Sequence, residues 1–161
     1  MKTIPLTQGK VALVDDEDFE RLSKYKWCAL NCHGFYYAVR SERITNGRYG
    51  KTRHFKMHRE ILGLTDPKIH VDHKNHNGLD NRQENMRACT CSQNQMNQRT
   101  MRSKKHSPYK GVCFFHGKWR AAIKIKGKTT HLGTFPSEIS AAWAYNEAAI
   151  KYFGEFAHVN P

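Results

Sequence analysis

Residues 69–94, IHVDHKNHNGLDNRQENMRACTCSQN, decide how this chain is read. Residues 69–73 read as a strand, and residues 85–89 as a second strand across a long polar turn. A helix over 92–100 follows, with Ser92 as its cap. Neighbouring side chains on a strand point to opposite faces, so Asp72 and His73 diverge unless the strand ends there. If it ends there, the hairpin and the helix can bring Asn94 back beside Asp72. A carboxylate and an amide oxygen are hard ligands that suit Mg²⁺ or Mn²⁺, with remaining positions left to water and phosphate oxygens. A histidine beside such an ion is a natural general base, because the imidazole is mostly neutral at pH 7. Together these groups activate water and polarise a phosphodiester.

Before this stretch, residues 10–14 and 35–40 alternate as strands do, and Asn46-Gly47 marks a turn between two more strand-like pieces. Asp15-Asp16-Glu17-Asp18 ahead of Phe19 and Leu22 predicts a short helix with acids at its N-terminus. Residues 56–64 predict another short helix, ending at Gly63. After the stretch, residues 101–107 lack apolar periodicity and read as a basic linker. Strands over 109–115, 118–126 and 129–135 then form a three-stranded meander. An alanine-rich helix over 138–153 is capped by Ser137 and stopped at Gly154. The fold class is therefore α+β, in four parts: a β-rich segment 1–55, a ββα unit 56–100, the linker 101–107, and a sheet-on-helix domain 108–161.

Charge supports a nucleic-acid partner. The 161 residues carry 27 Lys+Arg against 14 Asp+Glu, net +13. Residues 101–161 hold 10 basic residues and 3 acids, whereas residues 56–100 hold 7 and 5. The near-balanced middle keeps the acid that a metal site needs. In strand 118–126 the face Trp119, Ala121, Ile123 and Ile125 packs on the helix, leaving Lys118, Arg120, Lys124 and Lys126 outward. Cations on one strand face recur about every 6.6 Å, close to the roughly 6–7 Å between phosphates of one DNA strand. No apolar run is long enough for a membrane span, and the first ten residues lack a signal-peptide core. Five irregularly spaced cysteines argue against a disulfide framework, and Cys28-x₃-Cys32 with Cys89-x-Cys91 argues against structural zinc. Reduced thiols and a nucleic-acid partner point to the cytoplasm of a bacterial or phage-infected cell.

His70-Val71-Asp72-His73, Leu79-Asp80-Asn81-Arg82, Asn85-Met86-Arg87 and Thr90-x-x-x-Asn94 resemble the HNH (ββα-metal) homing endonucleases of phages and mobile introns. The resemblance implies a divalent-metal-dependent DNA endonuclease with one Mg²⁺ or Mn²⁺ per active site. His73 resembles the general base, Asp72 and Asn94 the metal ligands, and Asn85 the asparagine that braces the loop. His58 and Asn81 stand as possible support for the site. Residues 107–160 resemble the APETALA2-type DNA-binding domain, through Tyr109-Lys110-Gly111-Val112, Lys118-Trp119-Arg120-Ala121-Ala122-Ile123 and His131-Leu132-Gly133-Thr134-Phe135. That implies double-stranded DNA as partner, read through Lys110, Lys118, Arg120, Lys124, Lys126 and His131. First-strand positions where the family has arginines hold Cys113 and Phe115, and a family tryptophan falls at His131, so the plant target sequence does not carry over. One active site per chain cuts one strand per encounter, so double-strand cleavage calls for a homodimer or two nicks. The competing readings are a catalytically inactive, sequence-specific DNA-binding regulator and an RNA-directed protein.

Overall fold

The computed structural model describes residues 1–45, 51–99 and 107–161. The Asn46-Gly47 turn and linker residues 101–106 lie outside them. The chain divides into two compact units, Met1–Thr90 and Cys91–Pro161. Small sheets and helices alternate in both, so the fold is α+β. Among the described residues no helix is long and apolar enough to cross a membrane.

In the first unit, β1 (Lys2–Pro5) pairs antiparallel with β2 (Val11–Val14). α1 (Asp16–Leu22) carries three acids in its first turn, where they complement the helix dipole. β3 (Cys28–Cys32), β4 (Phe35–Arg43) and β5 (Thr52–Lys56) form an antiparallel sheet in that order. The short α2 (Met57–Ile61) follows directly. Ile4, Ala12, Val14, Leu22, Trp27, Ala38 and Met57 make one apolar core from all of these elements. Burial of a large side chain such as Trp27 or Leu22 contributes about 1.5–3 kcal/mol each. The Trp27 indole N–H is satisfied by Leu22 O at 2.8 Å. Beside this core Arg40 is buried as an ion in paired form, donating to both Glu60 carboxylate oxygens at 3.0 and 2.6 Å. Its guanidinium lies between the Tyr25 and Phe55 rings, 4.1 Å from each.

β6 (His70–His73) and β7 (Met86–Cys89) form the two-stranded hairpin anticipated for the middle of the chain. Its long loop is anchored by the N-terminal segment. Leu13 N donates to Leu79 O and Asn81 N donates to Leu13 O, both at 2.8 Å, while Gln83 N donates to Asp15 Oδ2 at 2.7 Å. Leu13, through two backbone bonds, and the Asp15 carboxylate thus tie the loop to the N-terminal segment.

The second unit opens with α3 (Cys91–Asn97), which begins one residue before the expected cap Ser92 and ends before residue 100. Cys91 therefore sits on the helix, and Cys89 on β7. The HNH-like stretch is consequently shared between units: the hairpin groups with residues 1–55 and α3 groups with the C-terminal domain. β8 (Val112–Phe115), β9 (Lys118–Ile125) and β10 (Lys128–Phe135) form the meander, with β9 central. His116-Gly117 and Lys126-Gly127 turn the chain with positive φ at both residues of each pair, between 48° and 82°. Such primed two-residue turns match the twist of the strands they join. α4 (Glu138–Phe153) starts at Ser137, whose hydroxyl accepts from Ser140 N at 3.1 Å. Its Ala141, Ala142, Ala148 and Ala149 are buried, and two core clusters set them with Ala121 and Ile123 of β9, where small side chains permit close approach.

Candidate active site

β6 ends at His73, so Asp72 and His73 are the last two residues of the strand. Asp72 is 4% exposed and pairs across the hairpin with Arg87, its neighbour in register. Arg87 Nε and Nη2 donate to the same carboxylate oxygen, Oδ2, at 2.8 and 2.6 Å. The ion pair offsets the cost of burying the acid.

His73 is buried at 6% exposure, and burial is the main influence pushing its imidazole below the ordinary value. The polar Asn81 side chain and the charges of Asp72 and Asp80 pull the other way. The ring is neutral at pH 7, as a general base must be. His58, also at 6% exposure, meets it edge to face with ring centroids 5.3 Å apart. Burial, then the neighbouring charge of His73, drives the His58 imidazole down to about 3. His58 is therefore a neutral packing partner of His73, with its Nδ1 buried and, among the described residues, without a hydrogen-bond partner.

The loop between the strands is held from inside by amides. Asn85 Nδ2 donates to Asp80 O at 2.8 Å, and its Oδ1 accepts from Asn75 N at 3.1 Å. One buried side chain thus spans the loop. Asn81 is fully buried, and its Nδ2 donates to Leu79 O at 3.2 Å. Asp80 accepts from Arg82 at 2.8 and 2.7 Å and from Asn75 Nδ2 at 2.8 Å. Those bonds, Arg82 first, hold its carboxyl below the usual carboxylate range.

Tyr37 packs beside His58 and His73 and was not singled out from sequence. Its ring centroid lies 5.7 Å from that of His58 and 6.1 Å from that of His73. Burial raises its phenol, and the nearby charges of Cys32 and Asp72 add to this. Gly78 presses the loop against it. A Cβ there would stand 2.5 Å from Tyr36 O and 2.6 Å from the Tyr37 ring. Nothing in the run 35–40 marks Tyr37, because strand alternation does not say which face meets a hairpin 40 residues later. Arg87 was visible as part of the motif, but its partner became visible only with the strand register.

The remaining candidate metal ligand, Asn94, lies on α3 of the second unit. Among the described residues no three His, Cys, Asp or Glu side chains gather as a metal cluster. A carboxylate such as that of Asp72 is the kind of hard oxygen donor that Mg²⁺ or Mn²⁺ takes.

On the C-terminal sheet, Cys113 and Phe115 of β8 stand opposite Arg120 and Lys118 of β9. His131 of β10 stands opposite Ala122, and Thr129 opposite Lys124. Lys118, Lys124 and His131 are exposed, as anticipated for a DNA-facing surface. Arg120 is half-buried, with its guanidinium 4.8 Å above the Phe115 ring. Two candidates depart from this arrangement. Lys126 follows the end of β9 in the turn, at φ +48°, outside the strand's alternation. Lys110 is turned inward: its ammonium donates to the carbonyls of Gln95 and Met96 on α3.

The sequence profile of the HNH endonuclease family matches residues 53–96. An uncharacterized HNH endonuclease of Acanthamoeba polyphaga mimivirus is 32% identical over 159 residues, 95% of this chain and 76% of that protein. An AP2-like ethylene-responsive transcription factor of Arabidopsis thaliana is 41% identical over 58 residues, and an APETALA2-like protein of Oryza sativa is 43% identical over 56. These two matches take in 35% and 34% of the chain, but only 12% and 13% of the plant proteins.

Proposed function

The chain belongs to the HNH endonuclease family, and from that premise we propose that it is a site-specific DNA endonuclease of homing type, guided by its C-terminal sheet. The observation that carries the catalytic reading is the buried, neutral His73 at the end of β6, beside Asp72, in a loop braced by Asn85. In this reading His73 takes a proton from the attacking water as the oxygen bonds to phosphorus. The bond to the 3′ oxygen breaks, leaving a 5′-phosphate and a 3′-hydroxyl. Asp72 would hold the ion, with Arg87 fixing its carboxylate. A bound Mg²⁺ or Mn²⁺ supplies Lewis acidity to the phosphodiester and the departing oxygen. Asn81 and Asn85 hold the loop, while Tyr37 and His58 wall the base from solvent.

The partial likeness to plant transcription factors and the acid-free basic face of β9 support DNA reading by the sheet. A small nuclease site touches few bases, so a second binding surface on the same chain raises effective affinity. The test is incubation of the full chain with supercoiled plasmid and Mg²⁺ or Mn²⁺, followed by analysis of the ends. Metal-dependent nicks with 5′-phosphates support the reading. Tight DNA binding without cutting under either metal would instead make the chain a DNA-binding regulator.

A further inference from the structure

Tyr37 brings one face of the sheet of β3, β4 and β5 to the candidate base, its ring centroid 6.1 Å from that of His73. Side chains alternate along a strand, so Val39, Ser41 and Arg43 follow Tyr37 on the same face of β4. The register sets Lys56, His54 and Thr52 of β5 opposite them. Ser41 Oγ and His54 Nδ1 share a hydrogen bond of 2.8 Å, as cross-strand neighbours on one face can. Val39 is half-buried, and the other five are exposed. From Tyr37 to Arg43 the strand runs about 20 Å, the length of about six phosphates along one DNA strand.

Charge is sorted between the two faces of this sheet. Glu42 is the one acid in the sequence of its three strands. It falls on the opposite face, where Arg40 donates to it and also lies 4.1 Å from the Phe55 ring. The face that continues from Tyr37 therefore carries the cations Arg43 and Lys56 and, from these strands, no carboxylate. Lys56 leads directly into α2, and its charge helps hold the His58 imidazole down, after burial and His73. A duplex with its scissile phosphate at His73 extends past the base, and this face offers its backbone cations without a like charge to repel it.

We propose that this face of β4 and β5 is a second DNA-binding surface, which holds the backbone of the duplex beside the cut through Arg43 and Lys56. The inference rests on the reading of His73 as the general base. It places part of the grip on DNA in the nuclease unit itself, in addition to the C-terminal sheet.

The test is binding of the full chain to a linear plasmid-derived duplex across a salt series without divalent metal, beside cutting of the same DNA in Mg²⁺ or Mn²⁺. Arg43→Gln with Lys56→Gln should make the salt slope shallower by about 1.8, from about 0.9 for each phosphate released. It should also raise the DNA concentration needed for half-maximal cutting. Arg53→Gln, on the opposite face of β5 and paired in register with Glu42, is the control and should keep the wild-type slope. An unchanged slope in the double variant overturns the inference. So does an equal loss per residue in Arg53→Gln, which would mean diffuse attraction to net charge. If the double variant loses the Trp27 indole N–H resonance of the folded core, the single variants are read in its place, each expected to lower the slope by about 0.9. A wild type that binds but never cuts removes the general-base reading, and the placement beside a cut with it. Normal cutting with an unchanged slope removes the surface alone.

Discussion

Lowering the pH should destabilise the first unit through His58, and the size of the effect follows from its burial. The imidazole is held at about 3 in the folded state, against 6.5 when exposed. The folded-state value is depressed, so the unfolded chain takes up a proton that the folded chain refuses between those two limits. Stability from this group is fully present above pH 6.5 and falls as the pH drops toward 3. The slope approaches about 1.4 kcal/mol per pH unit, so moving from pH 7 to pH 5 costs about 2 kcal/mol from His58 alone. The assay is urea unfolding at both pH values, followed by the Trp27 indole N–H resonance, which reports the core of this unit. His58→Gln, which cannot take the proton, serves as the reference. The difference in stability between wild type and variant should shift by about 2 kcal/mol toward the variant on going to pH 5. Parallel stability curves for the two proteins would refute the reasoning.

Three further outcomes are expected. Gly78→Ala forces a Cβ to within 2.6 Å of the Tyr37 ring, so urea unfolding should show a drop of about 1–3 kcal/mol, with slower plasmid cutting. Arg87→Ala leaves the buried Asp72 carboxylate without its cross-strand cation and should cost about 3–5 kcal/mol in the same assay, more than Arg87→Lys. Arg120→Ala with Lys124→Ala should weaken DNA binding and lower the salt slope by about 0.9 for each phosphate these cations neutralise. An unchanged slope would remove that sheet face from the interface.

What could be read in advance was local. The hairpin of β6 and β7, the meander and the capped α4 are specified by turn pairs, strand alternation and a cap within a few residues of each element. Asp72 and His73 lie where the strand stops, a boundary the local pattern marks. What escaped depends on pairings distant along the chain. Asp15 accepts from Gln83 across 68 residues, and Tyr37 reaches His58 and His73 through packing alone. Lys110 was misplaced for the same reason. Spacing along a strand marks a cation, but the helix that docks beside it decides whether the cation meets solvent or a row of carbonyls. The division of the HNH-like stretch also followed from tertiary bonds, with β2 binding the loop and Lys110 binding α3.

The central claim is that His73 is the general base of a nuclease centre built on the β6–β7 hairpin. Single-turnover cutting of a saturating DNA duplex by wild type and His73→Ala, in Mg²⁺ or Mn²⁺, tests it most directly. His73→Ala should cut about 10²- to 10⁴-fold more slowly, with DNA affinity preserved. A variant that cuts as fast as wild type would contradict it.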